Sequence, residues 1–249
     1  MGELIAIERR DDGVAVVTMA DEAGHNAMTP AFVRALVRAL DEVEAWPRLK
    51  VVVLAGTEDV FSSGADLTML SALVDGSIAP AEIVLPKRVL DVPVPVVAAM
   101  TGHAIGGGLA LGLCADVVFA ARQSRYGCSF MNMGFTPGMG MTKLLEHVAP
   151  PAIAHEMLLT GEPKRGRWLE ARGVFNAVLD RPDVLPHALD VAARIADKPR
   201  PSLEILRRTL TLPRRQAFEL THTIESLMHR VSFGLSEVRE RIGEELHAP

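Results

Sequence analysis

Apolar and polar positions divide the chain into a series of predicted elements. Ile5–Ile7 and Val14–Met19 alternate around the turn residues Asp11–Gly13, the pattern of a β-hairpin. Thr29 followed by Pro30 marks a helix start. Phe32, Leu36, Leu40 and Val43 then recur at helical spacing through Ala31–Glu44. KVVVLAG, Lys50–Gly56, reads as a buried strand, and FSSGADL, Phe61–Leu67, as the loop that enters the next helix. Thr68–Pro86 keeps no period and is broken at Asp75-Gly76 and Pro80, so it is expected to form a mobile pocket wall.

A short helix over Lys87–Leu90 leads to the apolar strand Val94–Met100, and Gly106, Gly107 and Gly108 then open a Leu/Ala helix. A strand over Asp116–Ala120 precedes loops at Arg125–Gly127 and Gly134–Gly140. Helices follow over Met141–Val148 and Ala152–Leu159, then a strand at Ala177–Leu179 and a helix at Leu185–Ile195. Pro199–Pro201 marks a boundary between residues 1–198 and 199–249. Beyond it Ser202–Leu210 and Arg214–Leu246 read as helices, with a break at Gly234. Strand–strand–helix units repeated in this way predict an α/β core.

Two stretches carry candidate chemistry. Glycine lets a ligand approach the backbone closely, and the first N–H groups of a helix lack partners inside it and lie at its positive end. GHAIGGGLALGLCAD and FSSGADL each place such a loop at a helix entry. Two backbone donors from two loops are what a developing thioester enolate requires.

The net charge of −5 argues against nucleic-acid binding, which favours a basic face. Docking of an acidic carrier protein would need a local basic patch, and Lys164–Arg167 and Arg207–Arg215 are the clusters available, as alternatives to plain solvated faces. Cys114 and Cys128 sit in apolar surroundings outside any CxxC pair and read as buried free thiols of a cytoplasmic protein. No signal-peptide pattern opens the chain, and no apolar run approaches the roughly 20 residues that span a bilayer. The histidines lack metal-ligand spacing, and the glycine triplet is not a dinucleotide fingerprint. No metal or cofactor is therefore expected.

FSSGADL, GHAIGGGLALGLCAD and YGCSFMNMGFTPGMG resemble the enoyl-CoA hydratase/isomerase, or crotonase, superfamily over nearly the whole chain. The resemblance implies a β-β-α spiral core with C-terminal helices that make trimer contacts, as a homotrimer or a dimer of trimers. It assigns the oxyanion-hole N–H groups to Ala65 and Gly107, with Gly64 and Gly106 beside them. Hydratases of this superfamily carry two glutamates. One falls two residues after the glycine block, here Ala110, and the other seven residues before the proline of the PGxG turn, here Phe130. Neither residue can move a proton, so hydration and dehydration are excluded on this reading.

Enolate stabilisation without those acids suits decarboxylation of an acyl thioester. The same blocks together with LMHRVSF, Leu227–Phe233, resemble the decarboxylases of polyketide β-branching cassettes. That resemblance implies conversion of 3-methylglutaconyl to 3-methylcrotonyl on an acyl carrier protein, with a phosphopantetheine arm bringing the substrate. It implies His229 as proton donor, with Glu225 an i,i+4 neighbour able to hold the imidazole or raise its pKa.

Phe130, Met131, Met133, Met69 and Ala110 are the expected apolar pocket, and Asn132 is read as a substrate contact or a tie between loops. Some family members carry a tyrosine and a lysine where this chain has Met69 and Leu73, which leaves Lys87 as a candidate for the substrate carboxylate or a solvated helix-start residue. His103 is expected to brace its turn, Asp66 to cap a helix, Asp116 to satisfy loop backbone groups, and His222 to be structural. Double-bond isomerisation, decarboxylation of a CoA thioester and non-catalytic acyl binding remain alternative functions.

Overall fold

The computed structural model describes residues 4–78 and 85–247. A six-stranded sheet runs in the order β1 (Ile5–Arg9), β2 (Val14–Met19), β3 (Val51–Ala55), β5 (Val96–Met100), β7 (Val117–Ala121) and β10 (Ala177–Leu179). Among the described residues of this sheet only the β1–β2 pairing is antiparallel; Val53 pairs with Val97, and Ala99 with Phe119, in parallel register. A smaller sheet holds β4 (Val60–Ser62), β6 (His103–Ile105), β8 (Arg125–Gly127) and β9 (Lys164–Arg165).

The chain crosses from the large sheet to the small one and then enters a helix in each of its first two central turns. β3 and β4 lead to α2 (Leu67–Val74), and β5 and β6 lead to α4 (Gly107–Leu113). This is the expected strand–strand–helix spiral. β4, β6 and β8 are three residues each, too short for a period of two to show, which is why Phe61–Ser62 and Arg125–Gly127 read as loops.

The middle of the large sheet is buried on both faces because β3, β5 and β7 are apolar at every position. Val52 and Leu54 face the main core with Phe32, Leu36 and Leu40 of α1 (Pro30–Glu44). Val51 and Val53 face Ala188 and Ala192 of α8 (Val184–Ala196). Thr29 caps α1 through a 3.1 Å bond from the Phe32 N–H, as its sequence predicts.

Two expectations change. Leu67–Val74 is helical rather than irregular: Asp66 accepts the Met69 N–H at 2.8 Å, and Leu70 and Leu73 turn inward. The expected break at Pro80 lies outside the described residues, and α3 (Leu85–Leu90) follows. The break expected between Leu210 and Arg214 is also absent. α9 runs unbroken from Arg200 to Ser232 through the exposed Pro213. Proline normally costs a helix interior about 3 kcal/mol, and here buried anchors flank it. Arg207 and Arg214 both pair with Asp116, and they donate to the carbonyls of Leu90, Val89 and Val92 and of Cys114 and Ala115 respectively.

The Arg207–Arg215 run is therefore partly an internal clamp, not simply a solvated face. Asp116 also accepts the Val96 N–H at 2.9 Å, the backbone role expected of it. The chain turns at Gly234 and continues as α10 (Ser236–His247).

Candidate active site

The three consecutive glycines serve three separate purposes. Gly106 has φ +54 and ψ −120, a conformation an L side chain rarely adopts. A methyl group on Gly107 would meet the sulfur atoms of Met139 at 2.5 Å and Met28 at 3.1 Å, both ends of flexible chains. One on Gly108 would stand 2.2 Å from the Ser62 carbonyl oxygen, so α4 packs backbone-to-backbone on β4.

That contact holds the two loops side by side. Gly64, at φ +86, presents its α-carbon so that an added Cβ would be 3.1 Å from the Gly107 nitrogen. The Gly64 carbonyl is pinned by the Met28 N–H at 2.8 Å. Among the described residues, no protein acceptor takes the N–H of Ala65 or of Gly107. The structure brings Gly64, Ala65, Gly106 and Gly107 together.

Ala110 is fully buried in α4, and Phe130 packs edge-on against Phe135 with ring centroids 5.9 Å apart. Phe130 also borders Gly106. Apolar side chains thus occupy both positions at which the resemblance places glutamates. Met69 lies half-buried on α2 against the main core.

His229 is buried in α9, its ring against Gly138 and within 6.1 Å of Phe135. Its Nε2 donates to the Thr136 carbonyl at 2.8 Å, since a carbonyl can only accept. Nδ1 is sealed from solvent without a hydrogen-bond partner. Burial pushes the imidazole pKa below its ordinary value, opposed by the Thr136 bond and assisted slightly by His222. The ring is therefore neutral near neutrality, with Nδ1 as a lone pair.

Glu225 does not hold this ring, contrary to expectation. Its Oε2 accepts the Gly140 N–H at 2.6 Å, and its Oε1 accepts the Thr142 N–H at 3.0 Å and hydroxyl at 2.7 Å. The carboxylate caps α5 (Met141–Val148) from outside, where a helix start has spare donors. Burial raises its pKa, against those hydrogen bonds. Spacing along α9 put Glu225 near His229; only the tertiary fold supplies the competing helix terminus.

Two other candidates are engaged elsewhere. The Lys87 ammonium lies 3.0 Å from Asp91 and 3.1 Å from Glu219, tying α3 to α9, and its pKa is raised by those carboxylates. Asn132 donates to the Gly161 carbonyl at 3.1 Å, a tie between loops, one of the two roles its sequence allows. His103 accepts the Arg125 N–H at 2.8 Å, the bracing role read from its turn. Cys114 and Cys128 are buried free thiols whose pKa values burial pushes up to about 12.

A cleft of about 630 Å³ opens between the end of α2 and the last turns of α9, with Leu73, His222, His229, Phe233 and Arg239 among its lining residues. Ala65 and Gly107 do not line it; Met139 on Gly107 and Gly138 on His229 link the two regions through one turn. Arg239, from α10, escaped sequence reasoning because nothing in its local pattern distinguishes it from a solvated helix charge.

Residues 9–244 match the enoyl-CoA hydratase/isomerase family model. The chain belongs to that family. It is 38% identical to the bacillaene synthase decarboxylase PksI of Bacillus subtilis over 96% of this chain and 95% of that protein. The decarboxylase domain ECH2 of CurF from Lyngbya majuscula superposes with a TM-score of 0.92 at 35% identity, covering 98% of this chain and all of that one. A structure from a dehydratase/decarboxylase couple of polyketide β-branching gives a TM-score of 0.94, also at 35% identity, over 99% of this chain and 100% of its own. The chain is thus homologous to decarboxylases of polyketide β-branching within the crotonase superfamily. No helix among the described residues is long and apolar enough to cross a membrane.

Proposed function

We propose that the protein decarboxylates a 3-methylglutaconyl thioester carried on the phosphopantetheine arm of an acyl carrier protein, giving 3-methylcrotonyl. The bond between the carboxylate carbon and the γ-carbon breaks and CO₂ leaves. Its electron pair enters the conjugated system and comes to rest on the thioester oxygen, which accepts hydrogen bonds from the Ala65 and Gly107 N–H groups. A proton from His229 then adds at the γ-carbon and restores the unsaturated thioester.

The observation that carries this reading is the contact of the Gly64–Ala65 and Gly106–Gly107 loops beside apolar residues at Ala110 and Phe130. Donors aimed at a developing oxyanion are worth about 3–4 kcal/mol each where one has been removed from other enzymes. The neutral state of His229 fits a proton that arrives with substrate: a nearby carboxylate favours the imidazolium, and its loss as CO₂ makes that imidazolium a stronger acid. No external cofactor is required. The homologues' place in β-branching supports the carrier-bound substrate, and the exposed Leu206, Leu210, Leu220, Ile224 and Val231 of α9 support burial against further copies in a cytoplasmic homotrimer.

Incubation with carrier-bound 3-methylglutaconyl, read by intact-protein mass spectrometry, should show the loss of one CO₂. Replacing His229 by Ala should lower turnover about 10²- to 10⁴-fold with the fold retained. A substrate mass unchanged after prolonged incubation with folded enzyme overturns the assignment, and full activity of His229→Ala removes the histidine from it.

A further inference from the structure

With Met69 and Leu73 on α2 and Lys87 held in ion pairs, the conventional positions supply no cation for the acyl chain's carboxylate. The cleft beside His229 supplies others. Its lining includes the arginines Arg230 and Arg239 beside His222 and His229 and, among the described residues, no Asp or Glu, in a chain whose net charge is −5. Two arginines on a cleft of about 630 Å³, a size usual for small-molecule sites, with no carboxylate of the described residues on its lining, mark a place for an organic anion.

The two arginines differ in how they are held. Arg239 donates from Nε to the Phe233 carbonyl at 3.2 Å, and the Phe233 N–H donates to the His229 carbonyl at 2.8 Å. Arg239, Phe233 and His229 therefore form one hydrogen-bonded unit. Among the described residues no carboxylate pairs with Arg239, and its two terminal nitrogens have no recorded protein acceptor. Both arginines are exposed, but among the described residues Arg230 has no hydrogen bond that would fix its head. The buried, unpartnered Nδ1 of His229 is a second polar group at this cleft that the protein itself leaves unsatisfied.

We infer that Arg239 receives the distal carboxylate of the acyl substrate, taking over a task that Met69 and Leu73 cannot perform. This rests on the decarboxylase reading above and adds the specificity determinant for a diacid over a monoacid thioester. A guanidinium fork fits a carboxylate through two parallel N–H···O bonds.

The contact also has a distinctive kinetic signature. An ion pair to a carboxylate that departs as neutral CO₂ is stronger in the ground state than in the transition state. Its removal should raise KM without lowering kcat, unlike loss of a group that acts on the transition state.

The test compares the wild type with Arg239→Gln and Arg239→Lys on 3-methylglutaconyl-pantetheine, which has the carboxylate but no phosphate, and on the carrier-bound substrate. Arg239→Gln should raise KM about ten- to a hundred-fold on both, with kcat not reduced, and Arg239→Lys should recover part of the loss. Titration with 3-methylcrotonyl-pantetheine, which has no carboxylate, should be unaffected by either substitution.

Unchanged KM, or equal weakening toward the neutral thioester, overturns the inference. A defect confined to the carrier-bound substrate also overturns it and assigns Arg239 to the phosphate. If the wild type releases no CO₂, the decarboxylase reading fails, while titration with the diacid thioester still decides whether Arg239 selects its carboxylate. Thermal denaturation of both variants separates misfolding from either result.

Discussion

Replacing Gly108 by alanine tests whether the spacing between the two glycine loops governs turnover. An added Cβ would lie 2.2 Å from the Ser62 carbonyl oxygen, whereas ordinary contacts begin near 3.4 Å. Because the obstacle is backbone, α4 must move from β4 by about 1 Å, or the chain must deform. Overpacking of this kind costs about 1–3 kcal/mol of stability. The catalytic penalty should be larger. Ala65 follows β4 and Gly107 opens α4, so the displacement acts on the separation of the two N–H groups, and a 1 Å misplacement can cost roughly 10²-fold in rate. Gly243→Ala is the control: among the described residues nothing lies within 4 Å of its added Cβ, and α10 should gain up to about 1 kcal/mol from the helix preference. Single-turnover release of CO₂ and thermal unfolding should be measured on both. If Gly108→Ala turns over within threefold of wild type, the loop spacing does not set the rate.

Three further outcomes follow from buried charge. Glu225→Ala leaves the Gly140 and Thr142 N–H groups without their acceptor, at about 1–3 kcal/mol each; a melting temperature lowered by roughly 4–24 °C is expected, and an unchanged one would contradict the capping role. Asp116→Ala strands the buried guanidiniums of Arg207 and Arg214 and should cost about 3–5 kcal/mol in denaturant unfolding; a loss below 1 kcal/mol would show that α9 is anchored elsewhere. The folded pKa of His229 lies below the ordinary 6.5, so the unfolded chain binds more protons in that window. Stability from the neutral ring is present above 6.5 and is lost as pH falls toward the folded value. The stability of wild type relative to His229→Gln should decline on acidification through that window, and a parallel pH dependence of the two would refute the assignment.

The long-period features of the chain were legible in its sequence. The apolar stripe of α1, the continuous valine run of β3 and the glycine loops each follow from a local rule, and the structure places them as expected. Pro213 misled because a local rule predicts a break and a distant cause removes it: Asp116, far away in sequence, holds Arg207 and Arg214 on either side. Glu225 misled for the same reason, since i,i+4 spacing knows nothing of the α5 terminus that claims the carboxylate. Lys87 is spent on Glu219, which sequence separation concealed. Elements and loops set by local motifs could be read, whereas side-chain partners chosen by tertiary packing could not.

The substitution of apolar residues at Ala110 and Phe130 does more than remove two proton carriers. Carboxylates there would repel a diacid and hold water beside the glycine loops. Without them, the negative charge of the proposed reaction can begin at the basic end near Arg239 and finish at the amides of Ala65 and Gly107. The departing group is neutral, so nothing at the first end need hold it once the bond has broken. The amides carry only partial charge, enough to favour an oxyanion without trapping a product that has none. In that proposed reaction His229 would complete the sequence, because burial disfavours its cation: the ring would hold an extra proton only while the substrate anion is beside it, and would surrender it when the dienolate forms. A permanently charged lysine in its place would hold the anion equally well and release its proton far less readily.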